Sequence, residues 1–188
     1  RHAKKGDRVL VAPGTYSTAS GETFPLQQPD EVYLKSEPYN GTVILEHKLQ
    51  SSSAPSISSL LVLGKQADVE GITFSGNGVN DAITSSGVWY VNIHGCTFHT
   101  LNGIRLDGHS GTFIQGNLFH WQGPAIWNGS SATGGGNAIT VGSGTYNIHR
   151  NTIVNYSIGV FTGSVTLDMR DNIIGPTSYA GLSLDNAT

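Results

Sequence analysis

The chain has 188 residues, a formal net charge of −3 and 12% charged residues, about half the usual charged fraction of roughly 25%. It has no basic run, and no apolar run approaches the ~20 residues that cross a bilayer; this excludes an interface built on phosphate neutralisation and a helical membrane span. Glycine accounts for 25 residues, roughly twice the average usage, and the polar positions are filled mainly by Ser, Thr and Asn, which suits sheet and tight turns rather than helix.

In chain order, residues 1–5 carry no starting Met and no signal peptide. Gly6 and Asp7 open a turn, residues 8–12 (RVLVA) form a strand, and Pro13-Gly14 end it. The segment GDRVLVAPGTY at 6–16, followed by GETFPL at 21–26, resembles the N-terminal part of the pectate-lyase-like, right-handed parallel β-helix proteins. The similarity is to a subfamily of unknown function found in secreted proteins. In that family an amphipathic helix precedes this strand and caps the core. The resemblance therefore implies that residues 1–188 are one β-helix domain cut from a longer extracellular protein. Residues 31–35 and 42–46 are the next strands, with a turn at 37–41 between them. Residues 50–59, Ser-rich and containing Pro55, read as a loop, and residues 60–63 (LLVL) return to the core.

From residue 67 onward one eight-residue pattern is written five times: ADVEGITF at 67–74, VNIHGCTF at 91–98, TFIQGNLF at 112–119, YNIHRNTI at 146–153 and LDMRDNII at 167–174. Its sixth position is Ile72, Cys96, Asn117, Asn151 and Asn172, with steps of 24, 21, 34 and 21 residues. A fixed period near 21 with one insertion marks a repeat architecture. The third position (Val69, Ile93, Ile114, Ile148, Met169) and the eighth (Phe74, Phe98, Phe119, Ile153, Ile174) are apolar throughout and point inward. Between them the fifth position mixes Gly71, Gly95, Gly116, Arg150 and Asp171, as a bend does.

Each copy is thus two short strands about a bend. A third strand is expected at 103–106, 125–127, 159–161 and 181–184. Three short strands in about 21 residues define the fold class: all-β, a single-stranded right-handed parallel β-helix whose coils stack ~4.8 Å apart and contact mainly their neighbours. The insertion is read as a flexible loop at about 129–143. The sequence after residue 184 offers no cap, so further chain or a partner is expected to cover that end.

Outward positions form ladders down each face. The fourth position gives Glu70, His94, Gln115, His149 and Arg170; the second gives Asp68, Asn92, Phe113, Asn147 and Asp168. Asp68 and Asp168 fall four coils apart, roughly 19 Å, too far for a glycosidase pair at ~5–9.5 Å. No catalytic set is therefore assigned; were the chain an enzyme, His149, Arg170, Asp168 and His94 would carry the proton transfers or neutralise a uronate.

His99 and His120 share a column in adjacent coils, but two imidazoles without a third ligand do not make a metal site. Asp168, Asp171 and Asp185 leave Ca²⁺ open as a cofactor, although calcium takes six to eight oxygens. Trp121 and Trp127, with His99 and His120, are the ligand-binding candidates, because exposed aromatics suit the apolar faces of sugar rings. Trp89 and Tyr90 complete the aromatic set. Cys96 reads as a buried core thiol, and Asn117, Asn151 and Asn172 as an amide ladder at the bend. Asn40, Asn128, Asn155 and Asn186 head Asn-X-Ser/Thr sequons and are weak glycosylation candidates.

The expected function is a non-catalytic extracellular or cell-surface module that contacts polysaccharide or a surface glycan. The alternatives are a polysaccharide lyase or glycoside hydrolase, suggested by fold resemblance alone, and a building block that self-associates through its open ends.

Overall fold

The computed structural model describes residues 3–37, 41–48, 56–87, 90–123 and 135–185. Its strands, in order, fall into seven coils, the number of strands in the first sheet. The first coil holds β1 (Arg8–Val11), β2 (Gly14–Ser17) and β3 (Leu26–Gln27); the second, β4 (Tyr33–Ser36), β5 (Val43–Glu46) and β6 (Ile57–Val62). Next come β7 (Ala67–Glu70) with the long β8 (Ile72–Ser86), and β9 (Val91–His94) with the long β10 (Thr97–Asp107). The fifth coil holds β11 (His109–Gln115), β12 (Leu118–His120) and β13 (Asn137–Val141); the sixth, β14 (Gly144–His149), β15 (Thr152–Val154) and β16 (Ile158–Thr162). The last holds β17 (Val165–Arg170), β18 (Ile173–Ile174) and β19 (Ala180–Leu184).

The first sheet runs β1-β4-β7-β9-β11-β14-β17, every pair parallel. The second and third strands of the coils form a twelve-stranded sheet, joined where β8 and β10 pass unbroken from one face to the next. The chain is therefore an all-β parallel β-helix, 62% strand and 2% helix. Right-handed winding is the sense that parallel crossovers adopt almost without exception.

The register bears out the sequence alignment. Val9, Leu34, Val69, Ile93, Ile114, Ile148 and Met169 are successive partners in the first sheet. The four from Val69 to Ile148 are fully buried, as are Phe74, Phe98, Phe119 and Ile153 of the eighth position. Met169 and Ile174, in the last coil, are half-buried. The three phenylalanines stack with ring centroids 5.1 Å and 4.5 Å apart and planes within 7° of parallel. Coil length varies: the step is 21 residues from Ile93 to Ile114 but 34 from Ile114 to Ile148 and 35 from Leu34 to Val69.

The fifth position is the bend, and its backbone is left-handed in every copy: φ is 72° at Gly71, 61° at Gly95, 63° at Gly116, and 55° at both Arg150 and Asp171. Glycine adopts this conformation without a Cβ clash, whereas a side chain there costs energy. Immediately after the bend, the sixth-position amides close the corner. Asn117, Asn151 and Asn172 each donate a side-chain N–H to the carbonyl of Ile93, Ile114 and Ile148, respectively.

The strand starting at Arg8 ends at Val11, ahead of a bend at Pro13, and β2 begins at Gly14. Other expectations change. Ile57 to Ser59 belong to β6 rather than to a loop. The coils of β8 and β10 have no break between their second and third strands. The expected strand at 125–127 and insertion residues 129–134 lie outside the described residues. The third strand of that coil is β13, from within the proposed loop; its Ile139 pairs with Ile104 on one side and Val160 on the other. It forms because Ala138, Ile139 and Val141 are buried.

Candidate functional site

The outward face of the first sheet carries two ladders fixed by its register. One reads Arg8, Tyr33, Asp68, Asn92, Phe113, Asn147, Asp168; the other reads Leu10, Lys35, Glu70, His94, Gln115, His149, Arg170. Their acids lie against a neighbouring cation, imidazole or amide. Lys35 Nζ lies 2.6 Å from Glu70, and His94 Nε2 lies 3.1 Å from Asp68 Oδ1, which also places it 4.0 Å from Glu70. Asn92 donates to the other oxygen of Asp68 at 3.0 Å.

At the far end Arg170 Nε donates to Asp168 Oδ1 at 2.8 Å. His149 Nε2 approaches Asp168 Oδ2 to 3.3 Å, without hydrogen-bond alignment. The Arg170 hydrogen bond holds the Asp168 carboxyl below its ordinary range, with help from His149. The four proposed proton-transfer residues thus occupy one face, but as two clusters: His94 with Asp68, and His149 and Arg170 with Asp168. Between the clusters, His94, Gln115 and Arg150 border a shallow depression of about 310 Å³. Arg150 reaches only to 4.0 Å from Asp171.

The second candidate lies on the outer side of β8, β10 and β12. His99 sits beside Ser75 in register and, one coil on, beside His120. The two imidazoles meet edge-on at 5.9 Å, and His99 Nδ1 is 2.9 Å from the His120 carbonyl oxygen. Lys48, Ser75, His99 and Trp121 line a cleft of about 250 Å³. Trp121 is not the exposed platform expected of it. It is half-buried and packed on the core, with Gly123 and Gly135 so close that a Cβ on either would strike the indole. Its Nε1 is shielded from solvent and has no partner among the described residues. Trp127 and Trp89, and the sequon residues Asn40, Asn128 and Asn186, lie outside the described residues; Asn155 is exposed, at a left-handed turn.

Cys96 is buried, as expected, and burial pushes its thiol up to about 12, far from the thiolate that reacts or binds metal. The proposed Asp trio does not assemble. Asp168 is held by Arg170 and Asp171 faces Arg150, and among the described residues no three His, Cys, Asp or Glu gather to hold a metal ion. Among the described residues, no helix is long and apolar enough to cross a membrane.

Phe113 and Tyr90, read separately in the sequence, form an outward pair that sequence reasoning did not foresee. Their rings meet at 6.4 Å and 62° in the middle of the polar face. The signal was present: Phe113 is the one apolar residue in an otherwise polar second position of the repeat.

Stacked coils joined by all-parallel sheets define a parallel β-helix protein. The sequence profile described as "Protein of unknown function (DUF1565)" matches residues 1–181, and the chain belongs to that family. This agrees with the membership read from the N-terminal motif. Neither the search of curated proteins nor that of solved structures returned a significant match.

Proposed function

We propose that this chain is a non-catalytic, extracellular or cell-surface β-helix module that contacts polysaccharide. The observation that carries the non-catalytic part is the engagement of the outward acids. Glu70 and Asp168 are each held by a neighbouring cation, Lys35 and Arg170, and Asp68 is engaged by His94 Nε2 and the Asn92 amide. Asp68 and Asp168 stand four coils apart in one ladder. Acid–base cleavage of a glycosidic bond needs two carboxyls across one bond. The contact would be made at the cleft of His99 and Trp121, with His120 edge-on to His99 and Trp127 a few residues on in sequence.

The test combines turnover and binding. Incubation with uronate and neutral polysaccharides should yield neither unsaturated products nor new reducing ends. His99→Ala should weaken binding on a glycan array. Turnover abolished by His149→Ala or Arg170→Ala would replace this reading with the lyase or hydrolase reading.

A second reading, self-association, is favoured by the exposure of Leu10 (59%) at one end of the stack and of Ile173 (66%) and Leu184 (55%) at the other. Unpaired strand edges and apolar ends invite a second copy. Ser183→Pro in β19 should then lower the molecular mass measured in solution, and an unchanged monomer mass for the parent chain removes this reading.

A further inference from the structure

The first sheet's outward face is nearly symmetric about its centre. Outward from Phe113 and Gln115, the next coil on either side carries an Asn–His pair: Asn92 with His94, and Asn147 with His149. Beyond these lie the acids, Asp68 with Glu70 on one side and Asp168 on the other. Each histidine turns to the acid outside it, at 3.1 Å and 3.3 Å. The middle is left to an aromatic pair, Phe113 with the 43%-exposed Tyr90, and to Gln115, whose amide has no partner among the described residues.

We infer that this centre is a binding platform for an uncharged polysaccharide strand lying along the helix axis. Three features specify that ligand. An aromatic surface takes the apolar C–H face of a sugar ring. Gln115 offers two donors and an acceptor to hydroxyls, which can serve as either. The two ladders carry Arg8, Lys35 and Arg170 against Asp68, Glu70 and Asp168, so the face presents no dominant sign to attract a polyanion. The Asn92–His94 and Asn147–His149 pairs flank this centre one coil, ~4.8 Å, to either side along the axis, and extend the set of hydroxyl partners in the direction of a polymer. The platform lies on a different sheet from the His99–Trp121 cleft, and it stands or falls separately from the reading above.

Calorimetric titration with cellohexaose, mannohexaose and hexagalacturonate tests it. A neutral hexamer should bind the parent chain, and hexagalacturonate should bind more weakly. Tyr90→Ala, a surface change, and Phe113→Ala should each weaken the neutral ligand about five- to tenfold. Phe113→Trp should restore binding, and the melting temperature of each variant reports folding. Trp121→Ala separates the two sites: a loss confined to that variant overturns the platform and leaves the cleft. Failure of both neutral hexamers to bind, tighter binding of the charged hexamer, or indifference to Tyr90→Ala and Phe113→Ala also overturns it.

Discussion

Asn151 Oδ1 accepts two hydrogen bonds from Asn117, one from the backbone N–H and one from the side-chain amide, each at 3.0 Å. Asn172 treats Asn151 the same way, at 2.9 Å and 3.0 Å, and Asn117 accepts from the backbone N–H of Cys96. Asn117 and Asn151 therefore satisfy polar groups of both adjoining coils, and Asn172 those of the coil before it, at a corner where the strand ladder turns.

Asn151→Ala should consequently be expensive. Asn151 is fully buried, and its removal leaves two Asn117 donors, one backbone and one side-chain, unpaired where water does not reach. At about 1–3 kcal/mol per orphaned group, a loss of at least about 2 kcal/mol is expected in chemical denaturation. Asn172→Ala should cost less, because Asn172 is half-buried and water can replace part of what is lost.

Phe98→Ala removes the middle ring of the Phe74–Phe98–Phe119 stack, all three rings being fully buried. The cavity should cost about 3–5 kcal/mol. Ile114→Ala, in the neighbouring buried column, should cost about 2–5 kcal/mol. A loss under about half a kcal/mol for either variant would contradict the burial on which the fold rests.

His109 gives the fold a pH dependence. It is 1% exposed, neither ring nitrogen has an aligned partner, and its ring lies 6.1 Å from that of Tyr146. Burial holds its pKa below 6.5, opposed in part by the Ser85 backbone and Asp107. The folded state favours the neutral ring, so the unfolded chain binds more protons below 6.5. This contribution to stability is complete above that value and declines as the pH falls towards the lower folded pKa. Denaturation series between roughly pH 7 and 5 should show a shallower decline for His109→Leu than for the parent chain.

The bends predict an asymmetry between two equivalent positions. Gly116 and Arg150 share the fifth place of the repeat, with φ of 63° and 55°. Gly116→Val should cost about 1–2 kcal/mol, because a Cβ opposes the left-handed conformation. Arg150→Gly should cost nothing or stabilise. Thermal melting of the two variants side by side distinguishes the outcomes.

What the sequence disclosed follows from which residues the fold constrains. The apolar third and eighth positions and the bend were legible because the same groups recur in every coil, and even Arg150 and Asp171 align with glycines once the columns are set. The strand β13 was missed because the apolar triplet Ala125, Ile126 and Trp127 competes for its place in the local pattern. A longer-range comparison would have found it: Ala82, Ile83 and Thr84 recur as Ala138, Ile139 and Thr140, and both isoleucines pair with Ile104. Trp121 was misjudged because its half-burial depends on Gly123 and Gly135 folding against it, which no local pattern encodes. The Phe113–Tyr90 pair was hidden for a related reason: Tyr90 lies just ahead of one repeat and Phe113 within the next.

In the first sheet the order of strands in space is the order of the chain, β1-β4-β7-β9-β11-β14-β17. Tension applied to the two ends therefore finds no element that shortcuts the stack, and coils must peel away in succession from an end. Each release lengthens the tether by the extended length of that coil, and the coils are unequal. A 21-residue coil such as the one from Ile148 to Met169 frees roughly 70 Å, and the 34-residue coil from Ile114 to Ile148 roughly 115 Å, at about 3.4 Å per residue. Extension under load should thus come in unequal jumps, which tell the release of a long coil from that of a short one.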